Sequence, residues 1–176
     1  MYTLNQLIKL YINTMRTLLF FTLAILFVAH PAQAYFTTNQ EAMALSGSHT
    51  ALFLIDYSFG MTKHEVIFPV AALMSTEKQN DTVSYSILDE VGNVVDGKVT
   101  SMVLSNAPLS DEGMYVTQKG LGRKFRLAAF FTPTTYDTSK KYRLQVTHLP
   151  FNFDGKQQLG LNPSELKYYT TPLISL

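Results

Sequence analysis

The stretch Lys124-Phe125-Arg126-Leu127-Ala128-Ala129-Phe130-Phe131, KFRLAAFF, decides how this chain folds. Phe125, Leu127, Ala129 and Phe131 recur at every second position, with Lys124, Arg126 and Ala128 between them. Successive side chains of an extended chain point to opposite faces, so the pattern predicts a strand with one buried and one wetted face. Residues 142–149 repeat it: Tyr142, Leu144 and Val146 alternate with Arg143, Gln145 and Thr147. A slip of one residue would turn either apolar set to solvent, so both registers are well specified.

Around these two segments, short apolar and β-branched runs separated by Gly, Pro, Asn and Asp predict many strands and few helices. Residues 39–45 read as the opening strand, ended by the turn chemistry of Ser46-Gly47-Ser48-His49. Residues 50–59, TALFLIDYSF, are the strongest strand candidate. Residues 64–73, HEVIFPVAAL, read as one strand in which Pro69, lacking an amide donor, demands an edge position or a bulge. Residues 83–88 and 94–104 flank Asp89-Glu90-Val91-Gly92-Asn93 and read as a hairpin whose Gly92 and Asn93 tolerate positive φ. Residues 114–118 form a further strand, 151–163 a long connection and 166–171 the last strand. The expected fold class is all-β, an antiparallel sandwich of about seven to nine strands, with a small barrel as the competing architecture.

The N-terminal part has a different character. Residues 18–29, LLFFTLAILFVA, are uncharged and almost wholly apolar, with Arg16 before them and His30-Pro31-Ala32-Gln33-Ala34 after. A basic flank, an apolar stretch of this length and a small-residue site match the three parts of a secretory signal. A membrane-spanning helix needs about 20 apolar residues, and Lys9, Asn13 and Arg16 interrupt any extension backwards. The expected organisation is a signal peptide over residues 1–34 and a single β-domain over residues 35–176 that does not span a membrane. Met15 directly precedes Arg16, and a start there makes residues 1–14 a mis-called beginning. The expected destination is the periplasm or the cell surface. The chain has no cysteine, which excludes a disulfide framework, a thiolate metal site and a cysteine nucleophile, and suits a bacterial envelope better than a disulfide-stapled extracellular domain. The formal net charge of +1 falls by two when Lys9 and Arg16 leave with the leader, so neither a polybasic nor a polyacidic partner is implied.

Asp137-Thr138-Ser139-Lys140-Lys141-Tyr142-Arg143-Leu144 resembles the corner before the sixth strand of immunoglobulin-like domains, here of the bacterial exported kind. The resemblance implies a two-layer sandwich and a Tyr142 hydroxyl tied to upstream backbone. The Asp-to-Tyr spacing is one residue longer than usual, and the cysteine pair and core tryptophan of that family are absent.

Motifs that carry chemistry are incomplete. His64-Glu65 opens like a zinc-protease helix, but the fifth position is Phe68 on a strand-like segment, so two imidazoles cannot converge as i and i+4. Asn152-Phe153-Asp154-Gly155 is similar to the middle of a calcium loop, yet Pro150 and Leu161 occupy the positions of the first and last carboxylates. Gly47-Ser48-His49 places a hydroxyl next to an imidazole without facing them. Gly120-Leu121-Gly122-Arg123-Lys124 introduces a strand rather than a helix and so lacks the aligned amides of a phosphate cradle. No catalytic, cofactor-binding or metal-ligating residue is assigned, and no cofactor is expected.

Most of the positive charge of residues 35–176 lies in Lys119, Arg123, Lys124 and Arg126 and in Lys140, Lys141 and Arg143. Set side by side, the two segments would form one interaction patch for an acidic protein surface, a cell-wall polymer or anionic headgroups. Nucleic acid is disfavoured by export and by the charge balance. The leading functional reading is an exported, non-enzymatic structural or protein-interaction module of the cell envelope or surface, with an envelope or surface protein as partner. A soluble β-barrel holding a small apolar ligand and a small outer-membrane barrel are the alternatives.

Overall fold

Alternation of the kind carried by KFRLAAFF runs through most of the chain. A computed structural model describes residues 37–60, 63–75, 77–79, 81–154, 157–161 and 163–176; the leader expected over residues 1–34 lies outside them. Among the described residues the strands are β1 (Thr37–Ala44), β2 (Ala51–Phe59), β3 (Val66–Phe68), β4 (Ala71–Met74), β5 (Thr82–Asp89), β6 (Gly97–Ser105), β7 (Tyr115–Thr117), β8 (Arg123–Pro133), β9 (Lys141–His148), β10 (Pro150–Phe153), β11 (Gln157–Gly160) and β12 (Ile174–Ser175), with one helical turn, α1 (Pro163–Leu166). They form three four-stranded sheets: sheet I in the order β1-β2-β8-β6, sheet II as β11-β10-β3-β7, and sheet III as β12-β9-β5-β4. The protein is all-β. Its ladders are antiparallel except β4 with β5, which is parallel.

The long β2–β8 ladder, from Ala51 opposite Phe131 to Phe59 opposite Arg123, sets the layer structure. Phe53, Ile55, Tyr57 and Phe59 of β2 and Phe125, Leu127, Ala129 and Phe131 of β8 are all buried on one face of sheet I. That face packs on the other two sheets. Phe125 meets Phe68 of sheet II with ring centroids 4.7 Å apart, Phe59 meets Phe151 of sheet II at 5.6 Å, and Phe131 meets Tyr142 of sheet III at 5.5 Å. One continuous cluster of buried residues draws on all three sheets. Fully burying a Phe of this kind contributes about 1.5–3 kcal/mol of transfer free energy.

The sheet edges also meet. The Val103 amide of β6 donates to the Val70 carbonyl at 3.0 Å, and Ser101 Oγ donates to the Ala72 carbonyl at 2.8 Å, which joins the β6 edge of sheet I to the β4 edge of sheet III. At the opposite edge the Gln40 side-chain amide of β1 donates to the Tyr168 carbonyl. A backbone amide of β6 and a side chain of β1 thereby find partners at the two outer strands of sheet I, which partly covers its edges.

Several expectations are corrected. Residues 64–73 are not one strand: Pro69 cannot continue a ladder, so β3 ends at Phe68 in sheet II and β4 begins at Ala71 in sheet III. The 83–104 hairpin exists only beside its turn. The Asp89 carboxylate accepts from the Val91 and Asn93 amides, Gly92 sits at φ 96° while Asn93 has no positive φ, and Leu88 bridges Val94. The chain then crosses to sheet I, where β6 pairs with β8. Residues 151–163 are not a plain connection, because β10 and β11 pair there from Pro150–Gly160 to Phe153–Gln157. Residues 166–171 are not a full strand: Leu166 ends α1, Tyr168 turns outward and Tyr169 into the core, Thr170 makes an isolated antiparallel bridge to Gln145 of β9, and β12 follows. The strand total is twelve among the described residues, above the expected seven to nine, because the 64–73 run splits between two sheets and the expected connection carries β10 and β11. Tyr142 is 1% exposed and packs as a core aromatic, its hydroxyl without a hydrogen-bond partner among the described residues.

Gly97 opens β6 opposite Pro133, and a Cβ added there would lie 2.3 Å from Phe131 Cε2 and 2.5 Å from the Thr132 carbonyl oxygen. Neither the backbone nor the packed ring can yield at low cost. Gly97→Ala is expected to destabilise the domain by about 1–3 kcal/mol, read as a lower urea midpoint with an unchanged m-value; an unchanged midpoint would show that β6 does not close against β8 as described.

Candidate interaction surface

Burying one parity of β2 and β8 fixes what the other parity presents. The ladder registers place four side chains abreast in successive rows on the outer face of sheet I. One row holds Met43, Leu52, Phe130 and Thr100, the next Glu41, Leu54, Ala128 and Met102, and the third Asn39, Asp56, Arg126 and Leu104. Phe130 is 41% exposed, Met102 44%, Leu104 45% and Met43 39%. Ala128, flanked by Leu54 and Met102, is buried although it points outward. The result is a contiguous apolar area crossing all four strands, the kind of patch that marks an interaction site rather than scattered surface residues.

Its third row carries a bidentate ion pair. Arg126 Nε and Nη2 donate to Asp56 Oδ1 and Oδ2 at 2.5 and 2.7 Å. The hydrogen bond from Arg126, with its charge and that of Lys124, holds the Asp56 carboxyl below its ordinary value of 3.8 against an opposing effect of partial burial. A shallow groove of about 350 Å³ opens at this end, lined by Asn39, Asp56, Ser58 and Lys124 among others. At the opposite end Thr50 and Thr132 share a hydrogen bond of 2.8 Å, with Lys98 exposed beyond it. The surface is thus an apolar centre between polar rims, the usual anatomy of a protein interface.

The basic residues singled out from the sequence fall into separate places. Lys124 and Arg126 stand on the outer face of sheet I. Arg123, at the start of β8, has the opposite parity and a buried Nε without a hydrogen-bond partner among the described residues. Lys119 lies in the turn between β7 and β8, its Nζ 3.8 Å from Asp154 Oδ1. Lys140, Lys141 and Arg143 belong to β9 and the turn before it, in sheet III, where Arg143 pairs with Leu88. β8 pairs with β2 and β6, β9 with β5 and β12, so the two segments share no ladder. The apolar half of the surface escaped the sequence reading, although residues 50–59 carry the signal: Leu52 and Leu54 are apolar on the parity opposite to Phe53 and Ile55.

The histidines stand apart. His64 Nδ1 lies 2.7 Å from Asp154 Oδ2, and the Glu65 amide donates to Asp154 Oδ1 at 3.0 Å, a clasp that holds Asp154 at φ 51°. His49 lies against Tyr136 with ring centroids 3.6 Å apart. His148, its imidazole held low by burial, sits beside Gly160. Among the described residues no three His, Asp or Glu side chains come together to hold a metal ion.

Asp56 and Arg126 are about a third and nearly half exposed, so their pair is worth less than about 1 kcal/mol. Because the folded carboxyl is depressed, that contribution is present above the unfolded pKa and is lost as pH falls through the folded one. In Arg126→Ala the Asp56 carboxyl, followed by NMR titration, is expected to rise toward 3.8, with the stability difference from wild type vanishing in acid; an unmoved titration would show that the pair does not form. Comparison with protein-family models, with curated proteins and with solved structures finds no match.

Proposed function

We propose that the chain is an exported, non-enzymatic module of the cell envelope or surface that acts by binding protein through the outer face of sheet I. The observation that carries this reading is the apolar area around Leu54, Ala128, Met102 and Phe130, rimmed by charge and covered by no described residue. Leaving four large apolar side chains about two-fifths exposed on one sheet face costs solubility, and a covering partner removes that cost. Export rests on the pattern of residues 16–34, a basic flank, an apolar run and Ala32-Gln33-Ala34. A two-layer immunoglobulin-like arrangement fits the packing of sheet I against sheets II and III, although the parallel β4–β5 ladder departs from that pattern.

Both alternatives meet the same obstacle. A barrel with an apolar ligand needs interior space, whereas the interior here is filled by Phe53, Phe59, Phe68, Phe125 and Phe131, each 1% exposed or less. An outer-membrane barrel has a polar interior and a lipid-facing band free of charge at its centre, whereas this chain has an aromatic interior and an Asp56–Arg126 pair on its outer face.

Fractionation of cells expressing the full sequence is expected to release the protein from the envelope without detergent. In-cell cross-linking is expected to give discrete adducts with the wild type that Phe130→Asp loses while keeping wild-type dichroism. Retention in the cytoplasm, or identical adducts from both proteins, would contradict the reading.

A further inference from the structure

Resting on that reading of the outer face, we infer that its occupant is a second copy of this chain, bound face to face about a two-fold axis that runs parallel to the strands between β2 and β8. Such an axis exchanges β2 with β8 and β1 with β6 while keeping each residue in its row. Isologous interfaces require that residue i meet j and j meet i; about this axis the two central strands give complementary pairs, while the outer strands set Glu41 over Met102 and Asn39 over Leu104 at the margins. Leu54 of one copy comes over Ala128 of the other, a large side chain over a small one, and Leu52 comes over Phe130. Asp56 of each copy comes over Arg126 of the other, so the two bidentate pairs close into a square of alternating charge. Acid and base occupy mirror positions across the β2–β8 seam, which gives the charge complementarity that suits a second copy.

The size is sufficient. Four strands about 4.8 Å apart and roughly eight residues long present a face of about 19 by 27 Å, on the order of 500 Å² per copy. Two copies then reach about 1,000 Å², the lower bound for a specific interface, so a weak, concentration-dependent dimer is expected.

The test is sedimentation of protein purified from cells expressing the full sequence, over a concentration series. The wild type is expected to pass from monomer to dimer across the micromolar range, and Phe130→Asp to remain a monomer at tenfold higher concentration. Asp56→Arg and Arg126→Asp are each expected to be monomers, since each places like charges across the axis; mixed in equal amounts they are expected to form a heterodimer, because every cross-axis pair is then opposite in sign. Heterodimer formation from two folded monomers cannot arise from misfolding of either variant. A wild type that stays monomeric through about 100 µM, or a mixture that shows no heterodimer, would overturn the proposal. If such a monomer nevertheless loses its in-cell adducts on Phe130→Asp, the binding role of the face stands and its occupant is a different protein.

Discussion

The packing of Phe125 is the constraint on which the rest of the structure depends. Its ring meets Tyr57 at 5.6 Å in a stacked arrangement, Phe59 at 5.8 Å, Phe68 at 4.7 Å and Tyr115 at 5.8 Å, so it touches its own sheet and sheet II at once. Because side chains on a strand alternate strictly, burying Phe125 also buries Leu127, Ala129 and Phe131 and turns Lys124, Arg126, Ala128 and Phe130 outward. The β2 ladder carries the same parity to Leu52, Leu54 and Asp56. The composition of the outer face is therefore dictated by the core and cannot be altered by sliding a strand without exposing four core residues.

Aromatic mass substitutes here for covalent staples. With neither cysteine nor tryptophan in the chain, the largest fully buried side chains are tyrosines and phenylalanines, whose offset and edge-on contacts add roughly 0.5–1.5 kcal/mol per pair beyond area burial. The tyrosines carry a penalty. The hydroxyls of Tyr57, Tyr142 and Tyr169 are buried without hydrogen-bond partners among the described residues, and burial pushes the Tyr85 phenol up to about 12 against a smaller opposing effect of Ser101. Tyr115, by contrast, donates to the Val103 carbonyl at 3.0 Å, linking β7 to β6 across the sheets.

What the sequence revealed and what it concealed divide along one line. Local alternation identified β2, β8 and β9 and their inward faces, since parity is written in every second residue. The placing of turns was also legible at Gly47 and Gly92, where positive φ is needed. Which sheet a strand joins was not legible, because that depends on long-range pairing. The split at Pro69, the crossing of β6 from Val94 to sheet I and the β10–β11 pair all belong to this class. For the site, the charged outward residues of β8 were visible, whereas their position relative to Arg143 of β9 depends on long-range sheet order, in which β8 and β9 share no ladder. The apolar half of the face became visible only once β6 was seen beside β8, which brings Met102 and Leu104 next to Ala128 and Arg126.

Parity in sheet I is open to direct chemical measurement because the chain contains no native thiol. A single cysteine introduced as Leu127→Cys should resist maleimide labelling until denaturant is added. One introduced as Met102→Cys should label at once in dilute native protein. Fast labelling of Leu127→Cys together with protection of Met102→Cys would place the core on the other face of the sheet and contradict the account.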